Sequence, residues 1–160
     1  MVEVRIEEKA AFEVAGRKTW ISGQNNEEFS IFWEESKQNG LVGQLSSLAE
    51  DGVMGRAVFG VSRVEKDPAN RAFDFYIAAE TKNCPDGMEH FTVPAARWAI
   101  FSNRGQLPGA LIDAEMYCHM EWLPNAPYIH ALAPELEVYP ADDATRVEYW
   151  LPIIEKEEVR

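Results

Sequence analysis

Two glutamates near the C-terminal end each stand two residues before an aromatic ring, Glu137 before Tyr139 and Glu148 before Trp150. Both pairs lie in short alternating runs that predict strands, so each carboxylate shares a side of its strand with its ring. On a solvent-facing side this arrangement is ordinary. On a buried side an unpaired carboxylate raises its pKa or binds a cation, which suits selection of cationic ligands or general acid–base catalysis. The pattern alone leaves both interpretations open and does not say which glutamate is buried.

The chain is rich in aromatic residues, with five Trp, five Tyr and eight Phe. Most of them must fill the core. A subset carries a polar N–H or O–H on the ring and comes from both helices and strands, so it is suited to line a concave site for a flat or lipophilic ligand. With the two glutamates and Tyr139, the candidate ligand-binding residues are therefore Trp33, Trp98, Tyr117, Trp122 and Trp150.

Other chemistries lack their residue patterns. The three histidines have no metal-ligand spacing, and the consecutive residues of 118–120 (CHM) point to different sides of a helix. The sequence has no G-x-S-x-G elbow and no glycine-rich phosphate loop, and Cys118 fits an apolar helix stripe. We therefore predict no metal and no cofactor. If the protein is an enzyme, its catalytic residue would be Glu137 or Glu148, and the sequence does not decide between them.

Periodicity and turn residues predict the elements that position these residues. In the first half they are one long strand over 2–22 with a bulge near Ala10–Ala11 or Gly16, a helix within 23–40, and strands at 56–64 and 72–80. In the second half they are a strand over 90–105, a helix over 107–123, and the closing strands ELEVY (135–139) and VEYWLPI (147–153). The long connection 41–55 is expected to hold a short helix over the site.

The same strand–helix–strand–strand order thus occurs twice, as pseudo-repeats of approximately 1–82 and 88–157 within one domain of 1–160. The letters repeat faintly as well, because EVAGRKTWIS resembles TVPAARWAIFS and aligns Trp20 with Trp98. The predicted fold class is α+β, with the duplicated modules forming one antiparallel sheet and two main helices. A cleft between such modules is a natural ligand site.

The charge of −12 argues against direct binding of nucleic acid, which needs clustered Lys and Arg, and is compatible with a cationic ligand. No segment reads as a signal peptide, and no apolar run is long enough to span a membrane. Two cysteines form no disulfide framework. A cytoplasmic location without membrane contact is therefore expected.

The C-terminal residues EWLPNAPYIHALAPELEVYP and VEYWLPI resemble the closing pattern of the gyrase-inhibitor-like (GyrI-like) effector-binding family, which includes AraC-type effector-binding domains. The segment VPAARWAIFSNRG resembles a strand of the same family, although Trp98 stands where the family often has Tyr. The similarity spans nearly the whole chain and is loose in the N-terminal half. It implies a fold of the effector-binding type, found in bacterial drug-sensing transcription regulators and in separate small-molecule-binding proteins.

The resemblance also implies that a buried glutamate among rings receives the positive charge of a ligand, and the matching positions are Glu137 with Tyr139 and Glu148 with Trp150. The leading hypothesis is a stand-alone protein that senses or sequesters lipophilic, aromatic and cationic compounds, including drugs. One alternative is a hydrolase of cyclopropane-type genotoxins that uses a pocket glutamate. Another is a modulator of a protein partner such as gyrase or a separately encoded regulator. The sequence also leaves a homodimer open. No helix-turn-helix precedes the first strand, so direct reading of DNA is not expected.

Overall fold

The structure, a computed structural model, describes residues 1–158. Its strands are β1 (Glu3–Lys9), β2 (Phe12–Ile21), β3 (Val58–Ser62), β4 (Phe73–Glu80), β5 (Glu89–Val93), β6 (Ala96–Arg104), β7 (Tyr128–His130), β8 (Glu135–Tyr139) and β9 (Arg146–Glu155). The α-helices are α1 (Glu27–Gln38), α2 (Leu41–Leu48) and α3 (Gly109–Tyr117). A π-helical turn at Cys118–Trp122 extends α3, and short 3₁₀ turns follow at Leu123–Asn125 and Lys156–Glu158.

The strands form one antiparallel sheet in the order β1-β6-β9-β8-β3-β4-β2-β5, with β7 paired to β9. The triplet β6-β9-β8 meets the triplet β3-β4-β2 at the β8–β3 pair, and each triplet has the same internal order. The strand that precedes each triplet in the chain pairs with the other triplet. Thus β1 precedes β2 but pairs with β6, and β5 precedes β6 but pairs with β2. The predicted α+β class with one antiparallel sheet is confirmed.

Several predicted element boundaries were wrong. The strand expected over 2–22 is two strands, β1 and β2, which separate at Ala10–Ala11 and pair in different halves of the sheet. The strand expected over 90–105 likewise divides at Pro94, whose ring nitrogen has no N–H to donate to a ladder. The helix expected over 107–123 keeps α geometry only through Tyr117, and β7 was not predicted. The connection 41–55 does hold a helix, α2, but it packs on β4 and α1.

The two faces of the sheet are buried in different ways. The helix face carries two apolar clusters, one where α1 and α2 cover β2 and β4 and one where α3 covers β6 and β9. The opposite face has no helix on it, yet its residues are buried, and Val53, Met54 and Ala57 of the connection after α2 pack against them. This opposite face contains Phe59, Val61, Ala78, Trp98, Ile100, Leu136, Val138 and Trp150.

Between the two apolar clusters of the helix face lies the β8–β3 pair, where Glu137 is directly opposite Gly60. A Cβ at Gly60 would lie 2.5 Å from Glu137 Cγ and 2.6 Å from Phe75 Cζ. Glycine is therefore required at this position, because any larger residue would occupy the volume of the Glu137 side chain.

We predict that Gly60→Ala lowers the free energy of unfolding by about 1–3 kcal/mol, because the added methyl overpacks a buried site. The matched control is Gly43→Ala in α2, where a Cβ meets nothing within 4 Å. That control should be neutral or more stable by about 0.5–1 kcal/mol, since alanine favours helix. Urea denaturation measures both, and equal effects at the two positions would contradict the packing argument.

Candidate functional site

Glu137 is the centre of the candidate site. Odd-numbered residues of β8 point to the helix face, because Leu136 and Val138 belong to the cluster of the opposite face. The Glu137 side chain is buried, with the residue 8% exposed. The indole Nε1 of Trp33 on α1 donates to its Oε1 at 3.5 Å, and the Tyr139 hydroxyl donates to its Oε2. The two rings meet edge to face, 5.1 Å between centroids, beside the carboxylate.

No lysine, arginine or histidine within residues 1–158 forms an ion pair with Glu137; its polar partners there are the two ring donors. Burial raises the pKa of Glu137 to about 7, outweighing the two hydrogen bonds that favour the charged form. The carboxyl therefore changes charge near neutral pH, and a positive charge beside it would favour the ionised form.

Glu115 on α3 is a further acidic group, near enough to Glu137 and Glu135 for their charges to act on it, that the sequence analysis did not identify. Its side chain is half-buried, and burial first, then the charges of Glu137 and Glu135, raises its pKa to about 8. The available signal was helical spacing, because Glu115 follows buried Leu111 by four residues and precedes buried Cys118 by three. Spacing of this kind places it on the side of α3 that faces the sheet.

Glu135 precedes Glu137 by two residues on the same side of β8, but its environment is opposite in character. Arg71 binds it in bidentate fashion at 3.0 Å for each nitrogen, His130 Nε2 lies 2.8 Å away, and the Tyr149 hydroxyl donates at 2.7 Å. Although burial opposes ionisation, these partners hold the pKa of Glu135 well below its usual range. Glu135 is thus a fixed anion with its cations in place.

Glu148 lies on the opposite face of the sheet, since β9 carries it beside Trp150 in the register of Val138. Arg5 and Arg146 contact its Oε2 at 3.0 and 3.1 Å, and the Trp150 indole donates to its Oε1 at 3.1 Å. At Glu148 the positive charge expected beside a buried glutamate therefore comes from the protein's own arginines.

The eight predicted site residues therefore do not form one site. Trp33, Glu137 and Tyr139 are in contact, whereas Trp98, Glu148 and Trp150 lie on the other face, with the Trp98 and Trp150 rings 5.6 Å apart. The remaining two, Tyr117 and Trp122, are half-buried on the helix face and pack on Phe101 at 6.2 and 5.3 Å between ring centroids.

Two clefts of the molecule are lined by residues other than Glu137. One of about 530 Å³ lies over Glu148 and is lined by Arg5, Arg146 and Trp150 among others. Another, of about 590 Å³, lies beside Lys9 and Arg97. Glu137 is buried, and its two carboxylate oxygens accept hydrogen bonds from Trp33 and Tyr139.

Two negative findings apply to the part of the chain that the structure describes. No group of three or more His, Cys, Asp or Glu side chains is placed to hold a metal ion. No helix there combines the length and apolar character that crossing a lipid bilayer demands.

Comparison with known proteins places this geometry in context. The profile of the Cass2 family, described as "integron-associated effector binding protein", matches residues 5–153. No curated protein matches the chain in sequence.

Solved structures with the same fold include SAV2435 bound to tetraphenylphosphonium, at 20% identity and a TM-score of 0.83 over 99% of this chain and 98% of that one. The integron cassette protein VCH_CASS2 of Vibrio cholerae matches at 20% identity and a TM-score of 0.71, over 94% of this chain and 95% of that one. The C-terminal domain of EcmrR matches at 13% identity and a TM-score of 0.62, over 97% and 99%.

The burial of Glu137 without a cation predicts a pH-dependent cost to stability. Because the pKa of Glu137 is higher in the folded protein, its contribution is fully present below the unfolded pKa and is lost as pH rises through about 7. Glu137→Gln should therefore gain stability relative to wild type between pH 5 and pH 8, by on the order of 2–3 kcal/mol. Thermal unfolding at both pH values measures this change.

The control is Glu35→Gln, which removes the same charge from an exposed position of α1. Its stability difference from wild type should be the same at pH 5 and pH 8. A pH-independent difference for Glu137→Gln would contradict the raised pKa.

Proposed function

The chain belongs to the Cass2 family of integron-associated effector-binding proteins, and we propose that it binds a lipophilic organic cation at Glu137. One observation carries the proposal: Glu137 is a buried carboxylate that receives two aromatic donors but no cation from residues 1–158. Its neighbours Glu135 and Glu148 are equally buried and each has arginine partners. A ligand with a positive charge would pair with Glu137 as the arginines pair with Glu135 and Glu148.

The surroundings of Glu137 favour a cation that is lipophilic and aromatic. Trp33 and Tyr139 offer ring faces once they separate, and each good cation–π contact contributes about 0.5–2 kcal/mol. Apolar clusters flank the carboxylate on both sides, so a ligand must cover them as well as meet the charge. A small hydrated ion would give up its water on entering this site and would gain no apolar contacts in return.

The fold relative SAV2435, in complex with the lipophilic cation tetraphenylphosphonium, supports this class of ligand. The effector-binding description of the family supports a binding role. We assign the protein to the sensing or sequestration of such compounds, drugs among them.

We expect tetraphenylphosphonium to bind the protein, while tetraphenylborate, which has the same shape and the opposite charge, does not. Glu137→Gln should weaken tetraphenylphosphonium binding by about tenfold or more, which corresponds to about 1.4 kcal/mol or more of lost ion pairing. Glu148→Gln, checked for folding by circular dichroism, should bind within about threefold of wild type because its carboxylate is on the other face. Calorimetry together with tryptophan fluorescence measures the affinities of both variants.

Equal binding of the two ions, or a larger loss in Glu148→Gln, would reject Glu137 as the receptor.

The raised pKa and the Tyr139 hydroxyl also fit a general acid, which makes hydrolysis of a strained electrophile the second candidate. Protein-accelerated decay of a cyclopropane-bearing electrophile, abolished in Glu137→Gln, would assign that activity instead.

A further inference from the structure

The sheet has an open edge at β1. This strand pairs with β6 along its whole length, and no strand within residues 1–158 pairs with its other side. β6 is also the main element that β1 packs against, and no residue of β1 is buried. The backbone N–H and C=O groups of alternate residues therefore face away from β6, where a further strand could bond to them.

Charged residues often protect such an edge, but the charges of β1 complement a second copy of the same strand. The strand reads EVRIEEK. In an antiparallel pair of two copies centred on Ile6, the opposite residues are Glu3 with Lys9, Val4 with Glu8, Arg5 with Glu7, and Ile6 with Ile6. Each charged pair occurs twice, because the two copies are related by a two-fold axis. Cross-strand pairs of opposite charge stabilise antiparallel strands.

The neighbouring registers lack this match. The outward-facing groups of one copy must meet those of the other, so the numbers of two opposite residues add to an even sum. A pair centred on Arg5 brings two copies of Arg5 together and places Glu3 opposite Glu7. A pair centred on Glu7 brings two copies of Glu7 together and places Arg5 opposite Lys9. Like charges opposite each other destabilise strand pairing, so charge selects the register centred on Ile6.

Within a single chain the charges of β1 are unevenly matched. Arg5 Nε lies 2.6 Å from Glu7 Oε2, and Lys9 Nζ lies 2.8 Å from Glu7 Oε1. Glu3, by contrast, forms no ion pair within residues 1–158. A second copy would bring its Lys9 to Glu3. It would also cover Ile6, a large apolar residue that is 43% exposed in the single chain.

We propose that two copies of this chain associate through their β1 strands, in an antiparallel pair centred on Ile6. The two sheets then continue across a two-fold axis, and the same surface is used by both copies. The contact is one strand wide, so the dimer is reversible rather than permanent. The proposal does not depend on cation binding, because neither Glu3 nor Lys9 is a polar partner of Glu137.

Reversal of charge at one pair tests the register. Glu3→Lys and Lys9→Glu each place like charges opposite each other in a dimer of identical chains, so each variant should self-associate at least about tenfold more weakly than wild type. An equal mixture of the two variants should form a heterodimer, because opposite charges then face each other again. Sedimentation velocity from about 5 to 500 μM covers the range of weak protein interfaces, and wild type should dimerise within it.

The control is Glu35→Lys mixed with Arg17→Glu, which reverses the same two charges at exposed positions outside β1. Each control variant should dimerise as wild type does, and their mixture should show no preference for the heterodimer. Circular dichroism of all four variants checks that they fold.

Hydrogen exchange provides a second readout, because it locates the contact. Amides of β1 that face away from β6 should exchange more slowly as the protein concentration rises, while those of β5, at the other edge of the sheet, should not change. A wild type that stays monomeric up to about 500 μM, a dimer that survives both reversals, or protection confined to segments outside β1 would overturn the proposal. In each of those outcomes, binding of tetraphenylphosphonium that depends on Glu137 would still support the proposed function.

Discussion

The buried carboxylate of Glu137, without a cation of its own, is the constraint around which the centre of this protein is built. Removing a carboxylate from water is costly unless its hydrogen bonds and charge are met within the protein. Here Trp33 and Tyr139 supply hydrogen bonds, and Gly60 supplies the space. What remains unmet is the charge. The two apolar clusters of the helix face meet this strand pair from either side, and no basic residue within 1–158 pairs with the carboxylate.

Three buried glutamates in two neighbouring strands show how environment decides function. Glu135 is bound by Arg71 of the β3–β4 connection, and Glu148 is bound by Arg5 of β1 and Arg146 of β9, so both glutamates act as fixed parts of the framework. Glu137 sits between them in sequence, with the same side chain and similar burial, but its partners are neutral rings. A binding site often resides where a protein leaves one such group uncompensated, at the expense of its own stability.

The sequence predicted the local features of the site and missed the long-range ones. Alternation placed Glu137 beside Tyr139 and Glu148 beside Trp150, because strand period links residues two apart. It could not say which side meets the helices, since one face of this sheet is buried without any helix on it. Arg71, which binds Glu135, and Arg5, one of the two arginines that bind Glu148, are 64 and 143 positions away in the chain.

The same limit explains the errors in the elements. At Ala10–Ala11, where the sequence predicted only a bulge, β1 and β2 separate because they pair with strands of different halves, which is a non-local event. Similarly, the aligned tryptophans of the two halves differ in environment, because Trp20 is 61% exposed and Trp98 is fully buried. By contrast, α1 formed where its aromatic spacing and the Gly40 stop signal predicted it, since these are local features.

Titration of Glu137 itself is the most direct test of its proposed role as a buried acid that binds a positive charge. Carbon-13 NMR of the side-chain carboxyls, assigned with Glu137→Gln, follows the pKa with and without saturating tetraphenylphosphonium. We expect the pKa of Glu137 to be about 7 in the free protein. This pKa should fall by at least one unit when the cation binds, because the ligand stabilises the ionised form. A Glu137 pKa in the usual range for glutamate in the free protein, or one that does not change when the cation binds, would contradict this role.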